Sequence, residues 1–232
     1  MSVDERMVHD IVQKVMANMQ ISGSVSGMHG VFKDMNEAIN ASIEAQKKVC
    51  TMTLDQREQI ISLIRKKTHE NAEILANMGV NETGMGNVGD KILKHHLTAD
   101  KVPGTEDIST IAWSGDRGLT LVEMGPFGVI GAITPATNPS ETVICNCIGM
   151  LAGGNTVVFN PHPNAKKTTI YTINMINEAS IEAGGPDNIA VTVEAPTLDT
   201  SAIMMKHPSI HLLVATGGPG VVTAVLSSGK RA

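Results

Sequence analysis

A primary amide held at the carboxyl end of a strand can donate a hydrogen bond to an oxygen that turns negative during a reaction. Asn138, in the run Thr134-Pro135-Ala136-Thr137-Asn138-Pro139, is placed for that work. The competing reading is an asparagine that merely closes the turn, and the loop alone does not separate the two. A second chemical stretch is Thr216-Gly217-Gly218-Pro219-Gly220-Val221-Val222. Its small residues let a phosphate approach the backbone, and a helix N-terminus behind it attracts negative charge. A plain tight turn is the alternative there. The third is Asn160-Pro161-His162-Pro163, with an amide and an imidazole that can hydrogen-bond to a ligand. For His162 the alternative is a loop ring packed on the sheet edge.

Other reactive residue types point away from chemistry. Cys50, Cys145 and Cys147 are an odd number with no Cys-x-x-Cys pair, and they read as structural core residues rather than metal or redox groups. Cys145 and Cys147 lie two apart on a predicted helix and face different ways. His95-His96 are adjacent, so they diverge, and a solvated face is expected instead of a metal site.

The elements that must position these groups follow from pattern. A strand is predicted over 127–134, and two prolines then break the chain. Ser140 is expected to cap a helix, with Glu141 adding negative charge to its first turn and Gly153-Gly154 ending it. A second strand over 155–160 completes a βαβ unit, whose post-strand loops bind ligands. Helices over 166–183, 201–206 and 222–228 alternate with strands over 188–193 and 211–215. The fold class is therefore α/β, a Rossmann-like, mainly parallel sheet flanked by helices and preceded by a helical N-terminal region.

That earlier region begins with an amphipathic helix over 3–19, whose stripe includes Met7, Ile11, Val12, Val15 and Met19. A Ser/Gly-rich linker follows at 21–30. Such a helix must bury its stripe, either back on its own domain or on a partner. From Val31 the chain reads as helical. Asp34 with Glu37 and Thr53 with Gln56 supply caps, and the second helix is expected to stop near Gly79. The glycine-rich loop 81–87 follows no apolar strand and has no Lys-Ser/Thr ending, so it is not a phosphate loop. The pattern predicts a hairpin from segments 108–113 and 119–124, turning at 114–118.

Composition narrows the function classes. A chain of 232 residues with 42% apolar content buries a core. A formal charge of −5, no basic block and only 2% aromatics argue against nucleic acid and anionic membrane as partners. The acidic start lacks a signal-peptide core, and no apolar run reaches the roughly 20 residues that span a bilayer, so a cytoplasmic protein is expected.

Four segments, 134–139, 158–163, 216–222 and 227–232, resemble the aldehyde dehydrogenase superfamily in sequence and spacing. The likeness is to its CoA-acylating branch, the propionaldehyde and acetaldehyde dehydrogenases of bacterial microcompartments. It covers essentially the whole chain, but only the first half of such an enzyme. The resemblance implies NAD as cofactor, coenzyme A as co-substrate and a short aldehyde as substrate. It implies a cysteine thiolate attacking the aldehyde carbonyl, Asn138 holding the oxyanion, and the acyl group passing to CoA. Thr134, Pro135, Asn160, His162, Thr216, Gly217, Gly218, Gly220 and Val221 would contact the cofactor. Many nonacylating members carry a lysine and a glutamate where this chain has Asn160 and Pro163, so the ribose contacts must differ. The resemblance further implies that residues 1–20 target a microcompartment shell protein, that the hairpin within 31–124 serves a homo-oligomer, and that 125–232 is the NAD-binding domain. No cysteine stands at the family's nucleophile position, so the cysteine-bearing catalytic half is expected to be missing. A noncatalytic NAD-binding or shell-docking module is the alternative reading.

Overall fold

The structure is a computed structural model that describes residues 27–232. The targeting helix expected within 1–20 and most of the 21–30 linker lie outside the described residues.

A two-residue strand, β1 (Val31–Phe32), opens the fold where the pattern had predicted helix. Its pairing lies 161 residues away: Val31 aligns with Thr192 and Phe32 with Val193. No local period could reveal so short a strand. Gly30, at φ +76°, makes the entry possible, because a Cβ there would collide with the Asn177 amide and the Ala190 carbonyl. Helix α1 (Met35–Val49) starts at Asp34, whose carboxylate accepts from the N–H groups of Asn36 and Glu37. Helix α2 (Leu54–Thr83) starts with the expected box, in which Thr53 and Gln56 each bond the other's backbone N–H. It does not stop at Gly79. The glycine is buried within the helix, and the left-handed residue that ends it is Gly84. Asn87 then caps α3 (Val88–Lys101).

The antiparallel hairpin β2 (Ile111–Gly115) and β3 (Gly118–Val122) stands off the body, every residue of it exposed. Beyond it the chain alternates β4 (Val129–Thr134), α4 (Pro139–Ala152), β5 (Thr156–Pro161), α5 (Lys166–Glu182), β6 (Ala190–Val193), α6 (Leu198–Lys206), β7 (Ile210–Ala215) and α7 (Pro219–Leu226). The last helix begins at Pro219, inside the stretch read as loop, because proline is well suited to a helix's first position.

The five strands lie in the order β1-β6-β5-β4-β7, and every pair is parallel. Side chains alternate across this sheet. Val157 and Phe159 join Ile60, Ile64, Ile144, Ile148 and Ile176 on the face covered by α2, α4 and α5. Val158 joins Met35, Ile39, Val191 and Met204 on the face covered by α1 and α6. Burial on both sides is why these strands read as continuous apolar runs, and each large side chain so buried contributes about 2 kcal/mol. No helix among the described residues is long and apolar enough to cross a membrane.

The chain steps from β4 to β5 to β6 in one direction, then returns across the sheet to place β7 on the other side of β4. β4 and β7 stay paired to their carboxyl ends, but the loops that follow them leave for opposite faces of the sheet, which opens a crevice there.

Candidate functional site

A cavity of about 670 Å³ fills that crevice. Its floor is the end of β4, where Ile133, Thr134 and Pro135 leave the sheet, and its walls come from the exits of β5 and β7. Every residue expected to contact a cofactor lines it: Thr134, Pro135, Asn160, His162, Thr216, Gly217, Gly218, Gly220 and Val221. The first turn of α6 adds Thr197, Leu198 and Ser201, which sequence reasoning missed. A signal for them exists. Thr197 and Thr200 form a capping box after β6, and in a parallel sheet every such helix start lies at the ligand-bearing end.

Three features of the cavity bear on what it can hold. Thr134 is 2% exposed, yet its hydroxyl has no hydrogen-bond partner among the described residues. A buried unpaired hydroxyl is costly, and a polar ligand group is the economical way to satisfy it. Gly218 is the N-cap of α7 and makes no side-chain cap. Pro219 has no N–H and the Val221 N–H donates to the Gly218 carbonyl at 3.0 Å, so the Gly220 N–H is the first-turn donor left open among the described residues. A Cβ built on Gly218 or Gly220 would meet nothing within 4 Å. These glycines face open space that a phosphate could fill. These features fit a dinucleotide with its pyrophosphate at the start of α7.

Asn160 lines the cavity but is not free. Its amide oxygen accepts from the Thr200 hydroxyl at 2.7 Å, and its amide nitrogen donates to the Thr197 carbonyl at 3.4 Å. The side chain holds the start of α6. His162 is exposed at the rim, and its Nδ1 accepts from the Asn164 N–H at 3.2 Å.

Asn138 sits just outside the cavity lining, next to Thr137, which belongs to it. It occupies the N-cap of α4, correcting the expectation that Ser140 would cap this helix. Asn138 makes no capping bond with its side chain. The carboxamide is half-buried, and its oxygen accepts from Lys94 Nζ at 3.2 Å, which leaves the donor end uncommitted among the described residues.

Ser140 is instead buried in the first turn, because it belongs to a polar cluster beneath the loop. Lys91 Nζ donates to the Thr137 carbonyl at 2.9 Å and lies 3.3 Å from Glu141 Oε1. Lys91 is 2% exposed and Glu141 6%. His95 is fully buried, against the expectation of a solvated face. Its Nδ1 bonds the Lys91 carbonyl at 2.7 Å and its Nε2 the Ser140 oxygen, also at 2.7 Å. The carbonyl fixes the proton on Nδ1, so Ser140 has one hydroxyl proton to share between Nε2 and Glu141. Burial pushes the His95 imidazole below its ordinary pKa, against the opposing pull of the Glu141 carboxylate. His96 diverges as expected, and it stacks on His69 with ring centres 4.8 Å apart.

The cysteines divide. Cys147 is buried in the core, and burial pushes its thiol up to about 12. Cys50 and Cys145 are exposed, which corrects the expectation that all three are core residues. None of the three lines the cavity. Among the described residues no three His, Cys, Asp or Glu side chains could hold a metal ion.

The sequence profile of the Aldehyde dehydrogenase family matches residues 17–232. An acetaldehyde dehydrogenase (acetylating) of Bilophila wadsworthia is 45% identical over 227 residues, covering 94% of this chain and 46% of that protein. A solved structure of a propionaldehyde dehydrogenase from the Clostridium phytofermentans fucose utilisation bacterial microcompartment is 73% identical. It superposes with a TM-score of 0.86 over 88% of this chain and 47% of its own. A Rhodopseudomonas palustris propionaldehyde dehydrogenase, solved with bound CoA and an acylated cysteine, is 48% identical. Its TM-score is 0.85 over 87% of this chain and 46% of its own. The chain spans about half the length of the curated relatives it matches.

Proposed function

This chain belongs to the aldehyde dehydrogenase family, and on that premise we propose that it is the NAD-binding part of a CoA-acylating aldehyde dehydrogenase acting on a short aldehyde. The observation that carries the reading is the crevice between β4 and β7, floored by Thr134, whose buried hydroxyl has no partner among the described residues, and bounded by the open glycine start of α7. NAD, when bound, accepts a hydride from the aldehyde carbon, and CoA takes up the acyl group.

The chain's own residues do the rest. The first turn of α7 receives the pyrophosphate, and Thr134 supplies a hydrogen bond from the floor. Asn138 turns its amide nitrogen to the substrate oxygen and donates to it as negative charge builds there. Lys94 helps fix the polarity of that amide by holding its oxygen. The attacking thiol is not Cys50, Cys145 or Cys147, since none lines the cavity, and it comes from outside these residues.

Two assembly roles belong to the same reading. The exposed hairpin presents Ile111, Trp113 and Val122 on one face and Leu119 and Leu121 on the other, apolar surfaces suited to contact between copies of the chain. Residues 1–20, with their amphipathic pattern, dock on a microcompartment shell protein.

The test has two arms. NADH titrated into this chain should bind, with the signal lost in Gly220→Val, whose side chain would occupy the phosphate approach. A form of the protein extended to its relatives' length should make NADH only with aldehyde and CoA together. Binding without turnover in the extended form would favour the noncatalytic module, and no binding in either form would sink the reading.

A further inference from the structure

We infer that the cavity accepts the adenosine ribose with or without a 2′-phosphate, and that His162 is the residue that sets this tolerance. The inference rests on the cavity being the dinucleotide site. In such folds the exit of the second strand chooses between the two cofactors: an acid there binds the ribose hydroxyls and repels a 2′-phosphate, while an arginine clamps it. Here that exit is Asn160-Pro161-His162-Pro163, with neither.

The structure goes further than the residue types. No Asp, Glu, Lys or Arg lines the cavity among the described residues. Asn160 is held at the start of α6, its oxygen by the Thr200 hydroxyl and one of its two amide N–H groups by the Thr197 carbonyl. The carboxylate that reaches the start of α5, Glu82, is spent on the Lys167 and Thr168 N–H groups and the Thr168 hydroxyl. Pro161 and Pro163 have no N–H to offer. At this exit the imidazole of His162 is the side chain that stands exposed at the rim, and its Nε2 has no partner among the described residues. Because Nδ1 accepts from Asn164, the neutral ring carries its proton on Nε2 and presents a donor. A donor N–H serves a ribose hydroxyl or a phosphate oxygen alike.

NADH and NADPH titrated into this chain, read by nicotinamide fluorescence anisotropy, should give dissociation constants within about tenfold of each other. His162→Glu should weaken NADPH by about 30-fold or more while NADH changes little, as an acid at this rim repels the phosphate. His162→Arg should shift preference the other way. Because the ring is exposed, these variants are expected to fold, and His162→Gln, which keeps a neutral donor, should retain the wild-type ratio. If NADH binds but wild type rejects NADPH by about 100-fold, the inference fails while the cofactor site stands. A ratio unmoved by both His162→Glu and His162→Arg removes His162 from the role. If neither nucleotide binds, the site reading itself falls, and the inference with it.

Discussion

Two polar regions lie within a few residues of each other at the carboxyl end of the sheet, and they are built in opposite ways. Beneath the 134–139 loop, Lys91, Glu141, Ser140 and His95 are buried and bonded to one another. Around the cavity there is no charged side chain among the described residues, and one buried hydroxyl has no partner. The first region is closed, with every charge answered by protein. The second is open, with side-chain donors and the Gly220 N–H left for something that arrives. A buried charge must be paired because desolvation costs more than any single contact returns. A site for a large polyanionic cofactor needs hydrogen-bond donors and room more than fixed charge, since the helix start already supplies positive potential. The closed cluster thus holds still the loop that the open site uses.

The sharpest way to break this contrast is to open the closed region. Lys91→Met leaves Glu141 buried without its cation and the Thr137 carbonyl without its donor. It should cost about 3–5 kcal/mol in stability by denaturant unfolding. Adding Glu141→Gln should recover much of that loss, because the uncompensated charge goes with it. A double variant no better than the single would show that the ion pair is incidental to the cluster.

Acid should do by titration what that substitution does by mutation. The folded-state pKa of His95 lies below its unfolded value, chiefly from burial. Below the unfolded pKa the unfolded chain binds the extra proton more readily. Stability should therefore hold at neutral pH and above, then fall as pH drops below about 6.5, by at most about 1.4 kcal/mol per unit for this one group. His95→Gln should flatten that part of the profile, and an unchanged slope would assign the acid sensitivity elsewhere.

The open region predicts a smaller effect of opposite sign. Thr134→Val removes a hydroxyl that the free protein leaves unsatisfied, so the chain should gain about 1 kcal/mol in stability. NADH affinity should drop in the same variant, as the floor loses its donor. Lower stability with unchanged affinity would mean that the hydroxyl serves the protein rather than a ligand.

Much of this molecule was legible before any coordinates. The capping pairs at Asp34 and Thr53, the apolar runs of the buried strands and the glycines near 217–220 act over a few residues, where sequence and structure share one scale. Local order also located the helix behind Asn138, though not its cap. Ser140 and Asn138 are equally good capping residues by type, so type could not choose between them, and the burial of Ser140 against His95 decided it.

What the sequence determined by itself was therefore the alternation of strand and helix and the identity of the small and polar residues after each strand, because turn chemistry and apolar period are local properties. Tertiary structure alone decided three things: that β1 joins β6 across the chain, that Asn160 is spent on α6, and that His95 is sealed against Ser140 and Lys91. Each depends on segments distant in the chain meeting at one place. A side chain's worth, as ligand, latch or buried neutral base, is set by the partners it meets there.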